Sequence, residues 1–246
     1  MVLLYEGRVI MAKARKVCLF IVEGVSDESA LSLPLKNFIE RNRELRFFQT
    51  DGDLTTRDHI SAHTILSEVG DVVERFLRER HIRSSDLAQV VQIVDMDGCF
   101  IPDSLIHELI PEDGSVNVVY GQSEIRARHI SEIQNRNHQK QGNILKICYR
   151  KTIKGRVPYS VYYFSCNMDH VTGGNANMPY EEKVNQADAF AGKYMNDPGG
   201  FAAFFESVFP PVERDYKESW EFQKEGTHSL ERFSNLYLFL QSHLPG

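Results

Sequence analysis

Residues 17–31 read VCLFIVEGVSDESAL, and this stretch organises the rest of the chain. An unbroken apolar run, Val17 to Val22, leads directly into Glu23 and Gly24. A run of that length, rich in β-branched and aromatic residues and closed by glycine, is typical of a buried parallel strand. The polar residues that follow can cap a helix. Glu23 is therefore expected at the carboxyl end of a strand, where open α/β sheets place their chemistry.

A second apolar run ends in the same manner. Residues 87–94 read LAQVVQIV, and the acidic turn DMDG follows at 95–98. Alternation along an extended backbone would place Asp95 and Asp97 on the same side. Because neighbouring parallel strands end at the same edge of a sheet, the sequence predicts that Glu23 joins these two aspartates in one acidic site.

Clustered carboxylates favour a bound cation. Several carboxylates within a few ångströms of each other stay ionised only where a positive charge compensates them. Oxygen ligands without a nearby histidine or cysteine favour Mg²⁺ or Mn²⁺ over zinc. The glycines that follow the acids, Gly24 and Gly98, leave room for a substrate backbone to approach.

Length and composition indicate an ordinary globular chain. It has 246 residues, of which 42% are hydrophobic and 25% are charged. The expected organisation is an N-terminal leader at 1–15, a catalytic α/β domain at 16–178 and a helical extension at 179–246 packed on that domain. No apolar stretch reaches the roughly 18 residues of a membrane span. The four cysteines form no CxxC pair, which favours a cytoplasmic setting.

The order of elements predicts a mainly parallel sheet flanked by helices. Strands at 17–22, 45–49 and 87–94 alternate with helices near 26–42 and 58–80, as in a doubly wound fold. Residues 122–141 are left open as helix or loop. The remaining expectations are a short helix at 104–110, strands at 115–121, 144–152 and 160–167, and helices near 180–195, 198–208 and 229–242.

The formal net charge is −6, yet one segment is strongly basic. Between Arg126 and Arg156 nine lysines or arginines stand against a single acid, Glu132. Such a belt can hold a phosphate backbone locally, even in an acidic protein. The predicted nucleic-acid contacts are Arg126, Arg128, Lys146, Arg150, Lys151, Lys154 and Arg156. If the chain cleaves a bound nucleic acid, three of these residues are candidates for the cation near the negatively charged transition state: Lys146, Arg150 and Lys151.

At its two acidic turns the chain resembles the Toprim domain, which topoisomerases, bacterial primases, recombination mediators and OLD-family (overcoming lysogenization defect) nucleases share. The family pattern is a strand ending in Glu-Gly and a later strand ending in Asp-x-Asp, which IVEGVSDESAL and IVDMDG match. Asp27 is most similar to an acid that binds metal in OLD-type nucleases. SCNMDHV at 165–171 is similar to a segment that supplies a further acid, which nominates Asp169. The match is specific over 16–100 and weak over 159–171.

The resemblance implies a Rossmann-like Toprim domain that hydrolyses phosphodiester bonds of DNA or RNA with two Mg²⁺ or Mn²⁺ ions. It implies catalytic roles for Glu23, Asp95 and Asp97. The implied metal ligands are Glu23, Asp27, Asp95, Asp97 and Asp169. The chain has no GxxxxGK[ST] motif, so ATP control would come from a separate ATPase subunit. A homodimer, no membrane contact and a role in phage defence complete the expectations.

Two alternatives stay open. VDMDGCFIPDS resembles the first motif of haloacid-dehalogenase phosphatases, in which Asp95 would be a nucleophile, although Cys99 stands where that motif has threonine. The other alternative is a Toprim-derived module that binds nucleic acid and cleaves nothing. Asp51 and Asp53, in the turn TDGDLTT, are expected to form the turn and not to bind an ion.

Overall fold

The structure is a computed structural model that describes residues 3–5, 8–10, 16–39, 43–110 and 116–243. Its strands are β1 Leu3–Tyr5, β2 Arg8–Ile10, β3 Lys16–Val22, β4 Arg43–Gln49, β5 Leu87–Asp95, β6 Ile106–Glu108, β7 Val118–Tyr120, β8 Ile125–Ala127, β9 Thr152–Ile153 and β10 Val157–Phe164. Its α-helices are α1 Val25–Leu35, α2 Ile65–Glu79, α3 Ile130–Ile147, α4 Met168–Gly173, α5 Tyr180–Tyr194, α6 Pro198–Ser207, α7 Tyr216–Gln223 and α8 Tyr237–Ser242.

The central sheet is mixed and has the strand order β4-β3-β5-β10-β9. The first four strands are parallel, and β9 pairs antiparallel with β10 at one edge. Helices cover both faces, so the prediction of an α/β fold with a mainly parallel sheet is confirmed, and the architecture is compatible with a Rossmann-like fold. All four parallel strands end at the same edge of the sheet.

Strand β3 divides the hydrophobic core into two layers. Its side chains alternate across the sheet, so Leu19 and Ile21 pack with α2 and α3 on one face. Phe20 and Val22 pack on the other face with α1, α5, α6 and α8. Burial on both faces explains why this strand is apolar at every position after Lys16.

A small second sheet stands beside the carboxyl edge of the central one. It has the order β6-β8-β7, with Ile125 and Ile106 in a separate core under it. Residues 104–110 therefore do not form the predicted helix. They form a 3₁₀ turn at Asp103–Leu105 and strand β6. Only Ile106 of this strand is buried, which is the pattern of a short edge strand and not of a helix face.

Two predicted helix boundaries are wrong. Helix α2 begins at Ile65 and not near 58, although Ile60 is buried. The carbonyl of Ile60 accepts hydrogen bonds from the side chains of Gln139 and Asn143, so this residue joins the core from an irregular loop. The predicted helix at 26–42 is shorter in the structure: α1 ends at Leu35, and a 3₁₀ turn follows. Residues 40–42 lie outside the described part of the chain.

Two apolar segments also differ from prediction. Residues 144–147 close α3 instead of forming a strand, since Ile144 and Ile147 are buried on one helical face. The predicted helix at 229–242 is only α8, preceded by an extended stretch in which Ser234 bridges to Phe164. Helix α7 was not predicted, and its Trp220 is fully buried.

The C-terminal helices complete the core that β3 begins. Phe239 of α8 lies 5.3 Å, centroid to centroid, from the ring of Phe20. Phe201 of α6 packs against Phe38, the last residue of the turn after α1. A search of the described helices finds none with the length and apolar character that crossing a membrane requires. Residues 11–15 of the expected leader lie outside the described residues.

Candidate metal site at the carboxyl edge of the sheet

Glu23 links the two acidic motifs directly. It follows the last residue of β3, and its Oε1 accepts a hydrogen bond of 3.1 Å from the backbone N–H of Asp95. The loop after β4 is tied to the same place, because Gly52 N–H donates to the Glu23 carbonyl over 3.0 Å. Three parallel strands therefore have their carboxyl ends at one position, whereas the sequence predicts such a meeting for β3 and β5 only.

Asp27 and Asp95 each bind the start of a helix. Asp27 lies in the first turn of α1, and its Oδ2 accepts a hydrogen bond of 2.9 Å from Gly24 N–H. Asp95 ends β5, and its Oδ1 accepts a hydrogen bond of 3.1 Å from Met168 N–H at the start of α4. Both residues, like Glu23, are half-buried.

Asp97 turns away from this group. The strand ends at Asp95, and Asp97 adopts a left-handed backbone with φ of 49°, so the expected alternation of an extended chain does not apply. Its Oδ1 accepts a hydrogen bond of 3.3 Å from the hydroxyl of Tyr120 in β7. Its Oδ2 lies 2.5 Å from the ammonium of Lys140 in α3.

Lys140 is the cation at the centre of the site. Its side chain has 0% exposure, and its Nζ lies 2.8 Å from Asp53 Oδ2 as well as against Asp97. Asp53 forms the predicted turn, because its Oδ1 accepts hydrogen bonds from the amide and hydroxyl of Thr55 at 2.7 and 2.6 Å. It also belongs to the site, which its place in a turn sequence did not reveal.

The electrostatics divide the carboxylates into two sets. Burial raises the pKa of Glu23 and of Asp95 well above the usual range, and their acidic neighbours raise both further. Burial also raises the pKa of Asp27, to about 6, against the opposing hydrogen bond from Gly24. For Asp53, burial is outweighed by Lys140 and Thr55, so its pKa is lowered. Lys140 opposes the rise at Glu23 and Asp95, and Lys183 opposes it at Asp27, but neither lysine offsets burial there. The lysines are in direct contact with other carboxylates, Lys140 with Asp53 and Asp97 and Lys183 with Asp169.

Asp169 stands at the side of this group. It lies in the first turn of α4, its side chain is only 5% exposed, and its Oδ2 is 2.6 Å from the ammonium of Lys183. Its other oxygen, Oδ1, is buried without a hydrogen-bond partner. Lys183 reaches over from α5 with a side chain that is 34% exposed, so it is a cation on the open side of the site.

The basic belt does not gather at this edge. Arg150, Lys151, Lys154 and Arg156 flank β9 at the amino end of β10, and that strand has eight residues, or roughly 25 Å at about 3.3 Å each. Lys154 pairs there with Glu74 of α2 at 2.6 Å.

The other predicted contacts are also dispersed. Lys146 is exposed in the last turn of α3, six residues beyond Lys140, or roughly 9 Å along the helix. Arg126 is exposed on β8 and pairs with Glu124 at 2.7 Å. Arg128 is half-buried just after β8. Of the whole belt, Lys140 and Arg136 lie against the acidic turn, and neither was singled out from the sequence.

The donor set fits a hard divalent cation in its chemistry but not in its present arrangement. Within the described residues, no three His, Cys, Asp or Glu side chains are placed to hold one ion together. One carboxylate oxygen of each of Glu23, Asp27 and Asp95 already accepts a hydrogen bond from a backbone N–H. Oxygen-only ligands of high and uncompensated charge suit Mg²⁺ or Mn²⁺. Binding an ion would require these carboxylates to reorient their oxygens toward it.

Comparisons with known proteins identify no relative. No family model, no curated protein and no solved structure matches the chain.

Proposed function

We propose that the protein is a metal-dependent phosphodiester hydrolase that cleaves DNA or RNA at the carboxyl edge of its central sheet. The observation that carries this proposal is the hydrogen bond between the Glu23 carboxylate and the backbone of Asp95. It joins two motifs that lie far apart in the sequence, at the edge where α/β sheets bind ligands. The Toprim resemblance of the same two motifs supports the same activity.

Glu23, Asp27 and Asp95 are the residues that we expect to hold Mg²⁺ or Mn²⁺. Their pKa values are raised, so a cation among them removes an unfavourable accumulation of negative charge. Asp169 has an oxygen without a partner and can join them. When bound, the ion supplies Lewis acidity toward a phosphate and an attacking water.

The basic residues of this edge position the phosphate. Lys183 is the most accessible cation near the three carboxylates, and we assign it a contact with a phosphate oxygen. Arg136 donates hydrogen bonds to the Tyr120 hydroxyl at 2.9 Å and to the Asp97 carbonyl at 3.0 Å, so it holds the acidic turn in place. Preorganised charges of this kind are worth more in a half-buried site than in water.

The phosphatase alternative is less well supported. It requires Asp95 to be an ionised nucleophile with free access to a phosphoryl group. Burial and the neighbouring Glu23 raise the pKa of Asp95, and one of its oxygens is engaged by Met168 N–H. That alternative also gives no role to Glu23 or Asp27.

Cleavage of a supercoiled plasmid and of a structured RNA, with Mg²⁺ or Mn²⁺, tests the proposal. Wild type is compared with Glu23→Gln and Asp95→Asn, which keep the shape of each side chain and remove its charge. Glu74→Gln, on the distant surface of α2, is the matched control. We expect metal-dependent cleavage by wild type and the control, and a loss of at least about 100-fold in both site variants.

Two results would count against the nuclease. Full activity of Glu23→Gln beside an inactive Asp95→Asn would mean that the two acids do not share a site. Turnover of a small phosphate ester through a phosphorylated Asp95, with no cleavage of nucleic acid, would favour the phosphatase.

A further inference from the structure

We propose that the ammonium of Lys140 permanently takes the place of a second metal ion, so that each chain binds a single divalent cation, at Glu23, Asp27 and Asp95. This inference rests on the proposed function and makes it more specific. It departs from the two-ion hydrolysis that the family resemblance implies. Its basis is the position of one buried lysine between two carboxylates of different loops.

Lys140 bridges carboxylates in the way that a metal ion would. Its Nζ lies 2.8 Å from Asp53 and 2.5 Å from Asp97, and no part of its side chain reaches solvent. Both carboxylates come from loops at the carboxyl edge of the sheet, one after β4 and one after β5. A buried charge of this kind persists only when it is paired and hydrogen-bonded, and Lys140 meets both conditions.

The carboxylates that Lys140 binds are held by further partners. Thr55 donates two hydrogen bonds to Asp53, and Tyr120 donates one to Asp97. A divalent ion at this position would have to displace the ammonium from both carboxylates. The ammonium lies within 2.8 Å of both carboxylates, so its charge is paired on two sides.

Helix α3 fixes Lys140 by binding both loops through neighbouring polar side chains. On the acidic turn, Arg136 donates to the Asp97 carbonyl at 3.0 Å and Gln141 donates to the Cys99 carbonyl at 2.5 Å. On the loop after β4, Asn143 donates to the Thr55 carbonyl at 2.7 Å. These contacts fix the backbone of α3 relative to both loops, which places the Lys140 side chain between Asp53 and Asp97.

In the described ranges, the remaining three carboxylates of this edge are not in direct contact with a cation. Glu23, Asp27 and Asp95 make no ion pair with any lysine or arginine in the part of the chain that the structure describes. Their hydrogen-bond donors are uncharged backbone amides. A divalent ion at these three carboxylates would leave each acid of this group in contact with a cation, because Lys140 binds Asp53 and Asp97 and Lys183 binds Asp169.

The test is a count of bound Mn²⁺ per chain, by equilibrium dialysis followed by metal analysis. For wild type we expect one ion, and for Glu23→Gln we expect at least a tenfold weaker affinity. Lys140→Met keeps the length of the side chain and removes its charge, so it should gain a second ion at Asp53 and Asp97. Lys154→Met is the control, because Lys154 also pairs with two carboxylates, Asp71 and Glu74, far from this edge.

The outcomes separate the two proposals. Two ions in wild type, or a single ion in a folded Lys140→Met, would overturn the role of Lys140 and leave the nuclease proposal standing. No ion in wild type at millimolar Mn²⁺ would instead overturn the metal site of the proposed function. Circular dichroism checks each variant for folding. If Lys140→Met is unfolded, the pair Asp53→Asn/Lys140→Met, with one buried charge fewer, replaces it and should still bind the second ion through Asp97.

Discussion

Single carboxylates at this edge have different surroundings, although the sequence presents them as one acidic group. Asp97 and Asp53 share a buried ammonium, whereas Glu23, Asp27 and Asp95 bind neutral amides. The first pair is compensated within the protein itself. The second set carries the electrostatic cost that a bound cation would relieve.

Asp27 provides a test of that cost through pH. Its pKa is about 6 in the folded chain against an ordinary value of 3.8. A raised folded pKa means that the folded state holds a proton that the unfolded state has lost, so stability falls as pH rises from about 4 through 6. Asp27→Asn has no carboxylate at this position and therefore lacks this loss. With a chelator present, the free energy of unfolding of Asp27→Asn relative to that of wild type should increase by up to about 3 kcal/mol between pH 4 and pH 7.5.

Urea unfolding of both proteins at the two pH values measures this difference. Asparagine keeps an oxygen for Gly24 N–H, so the comparison isolates charge. An equal difference in stability between wild type and Asp27→Asn at both pH values would show that the surroundings of Asp27 do not raise its pKa.

At the scale of elements, helix α3 is the part that connects the site loops. It places Asn137, Lys140 and Asn143 in the interior, where their side chains serve the loops after β4 and β5. These contacts replace the backbone hydrogen bonds that irregular loops cannot make for themselves. The site is thus ordered by a helix that contributes no carboxylate to it.

We expect Asn143→Ala to lower the free energy of unfolding by about 2 kcal/mol, because it leaves the Thr55 carbonyl without its side-chain donor and removes one of two donors from the Ile60 carbonyl. This substitution should accelerate the exchange of backbone amide hydrogens more in residues 55–60 than in the rest of the protein. Lys146→Ala, exposed on the same helix, should change stability by less than about 0.5 kcal/mol. Equal effects of the two substitutions would contradict the role assigned to α3.

The same helix explains what could and could not be predicted from the sequence. Strands β3, β5 and β10 were predicted because each is a nearly continuous apolar run buried on both faces. Helix α3 was left undecided in its first part, because its interior face is polar and carries no apolar period. Lys140 therefore looked like one member of a surface belt. Its helical spacing from Asn137 and Asn143 was the available signal.

At the scale of the whole molecule, the C-terminal helices belong to the core and not to an appendage. Phe190, Phe201, Phe205 and Phe239 pack in the layer that contains Phe20 of β3. These helices were only partly located from the sequence. The long apolar segments of the sequence predicted which residues are buried. The polar turns between these segments determine where each helix begins and ends.

A chain that ends at residue 178 should therefore fail to fold. It would leave one face of the sheet uncovered over β3 and β5, where Phe20 and Val91 are completely buried in the full chain. Circular dichroism and urea titration of the shortened chain, beside the full chain, measure this. A cooperative unfolding transition in the shortened chain would mean that residues 16–178 fold independently of the C-terminal helices.

The most direct test of the central claim is a crystal structure with Mn²⁺, using anomalous scattering to locate the metal. We predict one anomalous peak at the carboxyl edge, bound by oxygens of Glu23 and Asp95, with Lys140 still between Asp53 and Asp97. No peak at this edge, or a peak between Asp53 and Asp97 with Lys140 displaced, would contradict the account.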